Sequence, residues 1–124
     1  MTTVADPLLA LCADLPQLEV PAGTRVLRDG DRSDRILVLV EGEVAVRKGG
    51  VRVAAVATPG SCFGEMSVLL GGNHTADVDA QTDARFFVLD HATQALQDHP
   101  DLLFGVARLM ADRLRLVTAF LADL

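Results

Sequence analysis

Between residues 18 and 90 short apolar runs alternate with turns rich in glycine, proline and aspartate. Leu18-Glu19-Val20 and Arg25-Val26-Leu27 flank Pro21-Ala22-Gly23-Thr24 and read as strand, turn, strand. Arg28-Asp29-Gly30-Asp31 is a second turn, with Gly30 free to take a positive φ. Asp34 to Val40 holds a continuous β-favouring run, Ile36 to Val40; Glu41-Gly42-Glu43 breaks it and Val44-Ala45-Val46 resumes it. Lys48-Gly49-Gly50 marks a hairpin before Val51 to Val56, and the last strands are expected at Thr75–Ala80 and Arg85–Leu89. Strands about ten residues apart, separated by glycine turns, predict a mainly β fold with flanking helices: an antiparallel β-roll, a jelly-roll-like barrel.

Helical spacing flanks that region. Residues 7–15, PLLALCADL, follow a proline suited to a helix start, and Pro16 stops the helix. One short helix is predicted between Asp90 and Asp98, and Pro100 fits the first turn of a long one, with Asp98 or His99 as its cap. The chain thus reads as a single domain: a helical segment at 1–17, a roll at 18–90 and C-terminal helices at 91–124. In the long helix Leu103, Met110, Val117 and Leu124 recur every seven residues, with Val106 and Phe120 between them. Leu102, Leu109 and Leu116 form a second row, and Leu114 and Leu121 a third. An arc this wide exceeds the stripe a helix needs to lie on a small barrel. It is covered either by a second copy, giving a parallel homodimer through 101–124, or by full burial within one subunit. Arg113 is expected to pack its stem on the seam and keep its charge at the edge.

Residues 60–78 join the two regions. Pro59-Gly60 ends an apolar run, Phe63-Gly64-Glu65 opens a short apolar segment, Met66 to Leu70, and Gly71-Gly72 closes it. Ala76, Val78 and Ala80 then alternate with Asp77, Asp79 and Gln81, so the stretch reads as loop, one or two helical turns, glycine loop, strand. Glycine at 64 lets the backbone turn tightly and a ligand approach closely. A helix starting near Glu65 aims its free N–H groups and positive dipole end into that loop, a setting that suits phosphate.

Glycine plus helix is a weak signal, but the residue string is specific. Phe63-Gly64-Glu65-Met66-Ser67-Val68-Leu69-Leu70, followed by Asn73-His74-Thr75-Ala76-Asp77-Val78, resembles the phosphate-binding cassette of the cyclic nucleotide-binding domain family. Catabolite activator proteins, cyclic-nucleotide-dependent kinases and nucleotide-gated channels share that cassette. Its first half, Phe-Gly-Glu, hydrophobic, small, two hydrophobics, matches without a gap. Its second half runs Pro-Arg-small-Ala-Ser/Thr-Val; here His74 stands in place of the arginine and Asp77 in place of the hydroxyl residue. The glycine and proline punctuation from Pro21 to Gly60 and the helices on either side resemble the family too.

The resemblance implies a non-enzymatic sensor or regulatory module that holds cyclic AMP or cyclic GMP in the roll and passes the signal through the C-terminal helix. It implies that Glu65 accepts a hydrogen bond from the ribose 2′-OH, and that Phe63-Gly64 and the N–H groups of Met66 and Ser67 belong to the phosphate site. It also implies a phosphate or guanine contact from the hydroxyl of Thr75, and a purine contact from Thr118 on the long helix, either within the subunit or across a dimer. Simpler readings stand beside these: a helix-terminal carboxylate at Glu65, a turn glycine at Gly64, a β-branched strand residue at Thr75. His74 shares parity with Ala76, Val78 and Ala80 and has three readings: a core-facing residue marking lost or weakened nucleotide binding, a pH-sensitive phosphate contact, or a contact for another ligand. An arginine fork grips phosphate bidentately and stays charged; an imidazole offers one short donor and has a reference pKa near ~6.5. Asp77 adds negative charge nearby. The alternative function is a ligand-free, degenerate domain acting as a dimerisation or protein-interaction module.

Composition narrows the rest. Half of the 124 residues are hydrophobic but only five are aromatic, all Phe, so Leu, Val and Ala must build the core. A net charge of −6 argues against a nucleic-acid partner, and so does the lack of a helix-turn-helix, the domain that follows the long helix in bacterial relatives. Met1 to Pro7 lacks the basic start of a signal peptide and no stretch reaches the ~18–20 apolar residues of a membrane span, so a cytoplasmic setting is expected. Cys12 and Cys62 lie far apart with no ligand-like spacing and read as buried structural thiols. His74, His91 and His99 are too few for a cupin metal site, and no nucleophile motif is present, so neither an enzyme, a metal nor a cofactor is expected.

Overall fold

β3 (Arg35–Glu41) is the strand on which the rest is assembled, because both of its faces are covered. A computed structural model describes residues 5–123. The first four residues of the predicted N-terminal segment and the seam position Leu124 lie outside the described residues. In chain order the elements are α1 (Ala5–Leu11), β1 (Gln17–Val20), β2 (Arg25–Leu27), β3, β4 (Val44–Lys48), β5 (Val51–Val56), β6 (Cys62–Phe63), α2 (Glu65–Leu70), β7 (Asp77–Ala80), β8 (Ala84–Asp90), α3 (Ala92–Asp98) and α4 (Pro100–Ala122). The strands form two four-stranded sheets, β1-β8-β3-β6 and β2-β7-β4-β5, antiparallel throughout.

The parity of β3 and β8 divides the core in two. Leu37, Leu39, Phe86 and Val88 face the other sheet and pack with Leu27, Val44, Phe63, Val78 and Ala80. Ile36, Val38, Phe87 and Leu89 face the helices and meet Leu8, Cys12, Leu96, Leu102, Val106 and Leu109. Two covered faces explain the unbroken apolar run of β3. Both cysteines are buried and free, and burial pushes the Cys12 thiol up to about 11.

Several boundaries differ from expectation. The first helix is α1, which ends at Leu11 and gives way to turns at residues 12–14 rather than continuing to Leu15. β7 starts at Asp77, where pairing with Arg47 begins, so Thr75 and Ala76 precede the strand. β6 is an additional strand of two residues, pairing with Leu37 and Val38. His99 holds the N-cap position of α4 without a side-chain cap bond. α3 is capped from a distance instead: Asp34 Oδ1 accepts from Thr93 N and Oγ1 at 2.9 and 2.7 Å.

Full burial of α4 within one subunit is not found. Leu102, Val106 and Leu109 are buried, but Phe104, Leu114, Leu116, Val117, Phe120 and Leu121 are exposed. A helix of 23 residues is roughly 34 Å long, more than the roll and α1 can cover. No helix among the described residues is long and apolar enough to cross a membrane.

Candidate functional site

The two-residue β6 delivers the chain to Gly64 directly over β3. A Cβ at Gly64 would lie 2.6 Å from the carbonyl oxygen of Arg35, and φ is +91°, so only glycine fits. The next residue, Glu65, starts α2 with 5% of its surface exposed. Glu65 is among the residues that line a cavity of ≈ 430 Å³ between α2 and the second sheet. Leu27, Val46, Ala54, Val56 and Val78 form an apolar wall, with Met66 and Leu70 opposite. Ser61, Asn73, His74 and Thr75 supply polar groups, and Arg113 enters from α4. Such a cavity, mostly apolar with a few convergent polar groups, has the make-up of a small-molecule site.

Seven of the eight predicted site residues border this cavity: Phe63, Gly64, Glu65, Met66, Ser67, His74 and Thr75. Thr118 does not; it is exposed on α4. Phe63 is committed to the core between the sheets. The hydroxyl of Ser67 donates to the Gly72 carbonyl at 2.5 Å and closes the glycine loop, leaving its amide as the group available to a ligand. A helix leaves its first amides without partners inside the helix, and those of α2 belong to residues that border the cavity. Thr75 is exposed at the cavity and makes no hydrogen bond through its hydroxyl among the described residues; because it precedes β7, it is not a strand residue.

Arg113 overturns its expected placement. Instead of keeping its charge at the seam's edge, it donates from Nη1 to Glu65 Oε1 at 2.8 Å and from Nη2 to the Cys62 carbonyl at 2.9 Å. The buried carboxylate draws it in: Glu65 is almost fully enclosed and needs a counter-charge. A sequence signal did exist, since Leu102, Val106, Leu109 and Arg113 continue one helical stripe, and its first three members are buried. The second oxygen of Glu65, Oε2, is buried and has no partner among the described residues. Beside it, burial and the Glu65 charge push the Cys62 thiol up, keeping it protonated.

His74 is 7% exposed. Its backbone is held on both sides, donating to the Asp31 carbonyl at 2.7 Å and accepting from Gly30 N at 2.9 Å. Its ring nitrogen Nε2 lies 3.0 Å from the hydroxyl oxygen of Ser33, a partner that sequence reasoning missed. Asp77 does not line the cavity. Its carboxylate turns outward, accepting from the Asp29 amide at 2.7 Å and pairing with Arg25 at 3.4 Å.

A family model, the cyclic nucleotide-binding domain, matches residues 17–96. The chain belongs to the cyclic nucleotide-binding domain family. A CRP-like cAMP-activated global transcriptional regulator from Mycobacterium tuberculosis is 27% identical over 123 residues, which cover 94% of this chain and 55% of that protein. The chain therefore spans about half the length of this relative. Among solved structures, the catabolite activator protein of Thermus thermophilus is similar with a TM-score of 0.72 and 25% identity, over 96% of this chain and 57% of that one. The N-terminal domain of a transcriptional regulator from Streptomyces coelicolor A3(2) matches with a TM-score of 0.67 and 26% identity, over 94% of this chain and 95% of that one. The antiparallel roll with flanking helices is thus the family's fold.

Proposed function

We propose that this chain is a non-enzymatic sensor module that holds a cyclic nucleotide in the cavity and transmits its presence through α4. The observation that carries the reading is Glu65: one oxygen is tied to α4 through Arg113, while the other is a buried acceptor without a donor. An unmade hydrogen bond of this kind costs about 1–3 kcal/mol, which a ligand hydroxyl recovers. The ribose 2′-OH is such a donor. The cyclic phosphate then lies against Gly64, the first amides of α2, His74 and Thr75, and the purine against the apolar wall. The name of the M. tuberculosis relative, a cAMP-activated regulator, supports this ligand class.

Transmission needs a ligand that favours one position of α4 over another. A hydroxyl on Oε2 withdraws charge from the Glu65–Arg113 pair, and Arg113 is where α4 leaves the body of the roll. We assign the exposed apolar face beyond it to a parallel homodimer through 101–124, in which Thr118 reaches the purine from the partner subunit. Titration calorimetry of the chain with cyclic AMP and cyclic GMP tests the ligand. Micromolar affinity for either one supports the sensor reading.

A second reading, a ligand-free dimerisation or interaction module, is favoured by two observations. His74, which by the resemblance stands where the family carries arginine, is bonded within the protein, and the apolar surface of α4 beyond Arg113 is exposed. Silence toward both nucleotides, together with a stable dimer in light scattering, would select it.

A further inference from the structure

The ionisable groups bordering the cavity are Cys62, Glu65, His74 and Arg113. Glu65 and Arg113 neutralise one another at 2.8 Å, and Cys62 stays protonated through burial. An anion entering this cavity therefore brings an unbalanced negative charge, and among the described residues His74 is the remaining ionisable lining group that can answer it. We propose that His74, positioned by Ser33, is the anion contact of this cavity and takes up a proton together with the ligand. The inference rests on the sensor reading above and names a regulation of that site.

The ring is built for the task. It is buried, its backbone is held from both sides, and its Cε1 lies 3.7 Å from where a Cβ of Gly64 would stand, so it abuts the cassette turn. Ser33 fixes Nε2, and Nδ1 has no hydrogen-bond partner among the described residues. A hydroxyl both donates and accepts, so Ser33 serves the neutral ring as donor and the charged ring as acceptor. With Ser33 paired to Nε2 in both states, Nδ1 keeps its proton and is the ring nitrogen left for an anion; only in the second state is the ring charged. Glu65, which lines the same cavity, carries the buried and unpartnered Oε2, a second mark of a missing ligand.

The surroundings leave this proton to His74. On the preceding turn Arg28, Asp29, Asp31 and Arg32 are exposed, and Asp34 is committed to Thr93. On β7, Asp77 and Asp79 turn outward to Arg25. None of these carboxylates borders the cavity.

The test is calorimetric titration of the whole chain with cyclic AMP and cyclic GMP at about pH 6 and about pH 8, in buffers of different ionisation enthalpy. The expected result is tighter binding at the lower pH, by up to about tenfold per unit, with proton uptake visible in the buffer dependence of the heat. His74→Gln should bind as the unaltered chain does at pH 8 and lose the pH response. Ser33→Ala should blunt that response several-fold and Ser33→Thr restore it. Equal affinity at both pH values without proton uptake overturns this inference and leaves the sensor reading standing. A pH response that survives in His74→Gln also overturns it, since the proton then sits elsewhere. No binding at any pH overturns both. Proton uptake is read on the unaltered chain, so the result does not depend on a variant folding.

Discussion

The two halves of α4 have similar apolar content and opposite surroundings. Up to Met110 the helix is part of the body: Leu102, Val106 and Leu109 are buried, and Gly105 lets α1 approach so closely that a Cβ there would meet Leu8 Cδ1 at 3.3 Å. Beyond Met110 none of the described residues is buried, yet Leu114, Leu116, Val117, Phe120 and Leu121 are all apolar and exposed. Arg113 stands at the junction, half in the cavity. The first half is held by this subunit, the second is available to another, and the residue between them touches the site. In the proposed sensor, that arrangement is the route by which a change at Glu65 alters the direction in which the free half leaves the roll.

The comparison can be broken most strongly at Leu109. Leu109→Ala removes a buried side chain from the helix-facing core and should cost about 2–5 kcal/mol in chemical denaturation. Leu116→Ala, on the exposed half, should stay within about 0.5 kcal/mol at concentrations where the chain is monomeric. Equal costs at both positions would erase the distinction.

Arg113→Ala acts at the junction and should destabilise by about 1–3 kcal/mol. It strands the buried Glu65 carboxylate, but its own 38% exposure lowers the value below that of a fully buried pair. Thermal melts of this variant and of Arg113→Lys should order as unaltered, Lys, Ala. Phe120→Glu should leave the stability of the roll unchanged while shifting light-scattering mass toward the monomer. A dimer that persists would place the contact elsewhere.

The smallest effect lies far from α4. Arg25 holds the Asp79 carboxyl below the usual carboxylate range, mainly through its hydrogen bond. A group with a depressed folded pKa contributes stability above its unfolded value and loses it as pH falls through the folded one. Asp79→Asn should therefore lower the urea midpoint at neutral pH, with the difference from the unaltered chain shrinking below about pH 4. A difference that persists unchanged in acid would contradict the ion pair.

Period and punctuation make much of this fold legible in the sequence. Short apolar runs between glycine turns mark the strands, and the run at Ile36 to Val40 reads as β; that both of its faces are covered emerges only in the fold. The cassette string brought seven site residues to one cavity. What stayed hidden was carried by long separations or by segments too short to have a period. Ser33 meets His74 across 41 positions and Arg113 meets Glu65 across 48, and local spacing encodes neither contact. β6 has only two residues and shows no alternation at all. The outward turn of Asp77 depends on Arg25 and the Asp29 amide, which the fold alone brings beside it.

The measurement that bears most directly on the account is calorimetric titration of cyclic AMP and cyclic GMP into the unaltered chain and into Glu65→Ala. The account predicts micromolar binding of at least one nucleotide, weakened about tenfold or more in Glu65→Ala as the hydroxyl loses its acceptor. No heat from either nucleotide, in a protein that melts cooperatively, would contradict it.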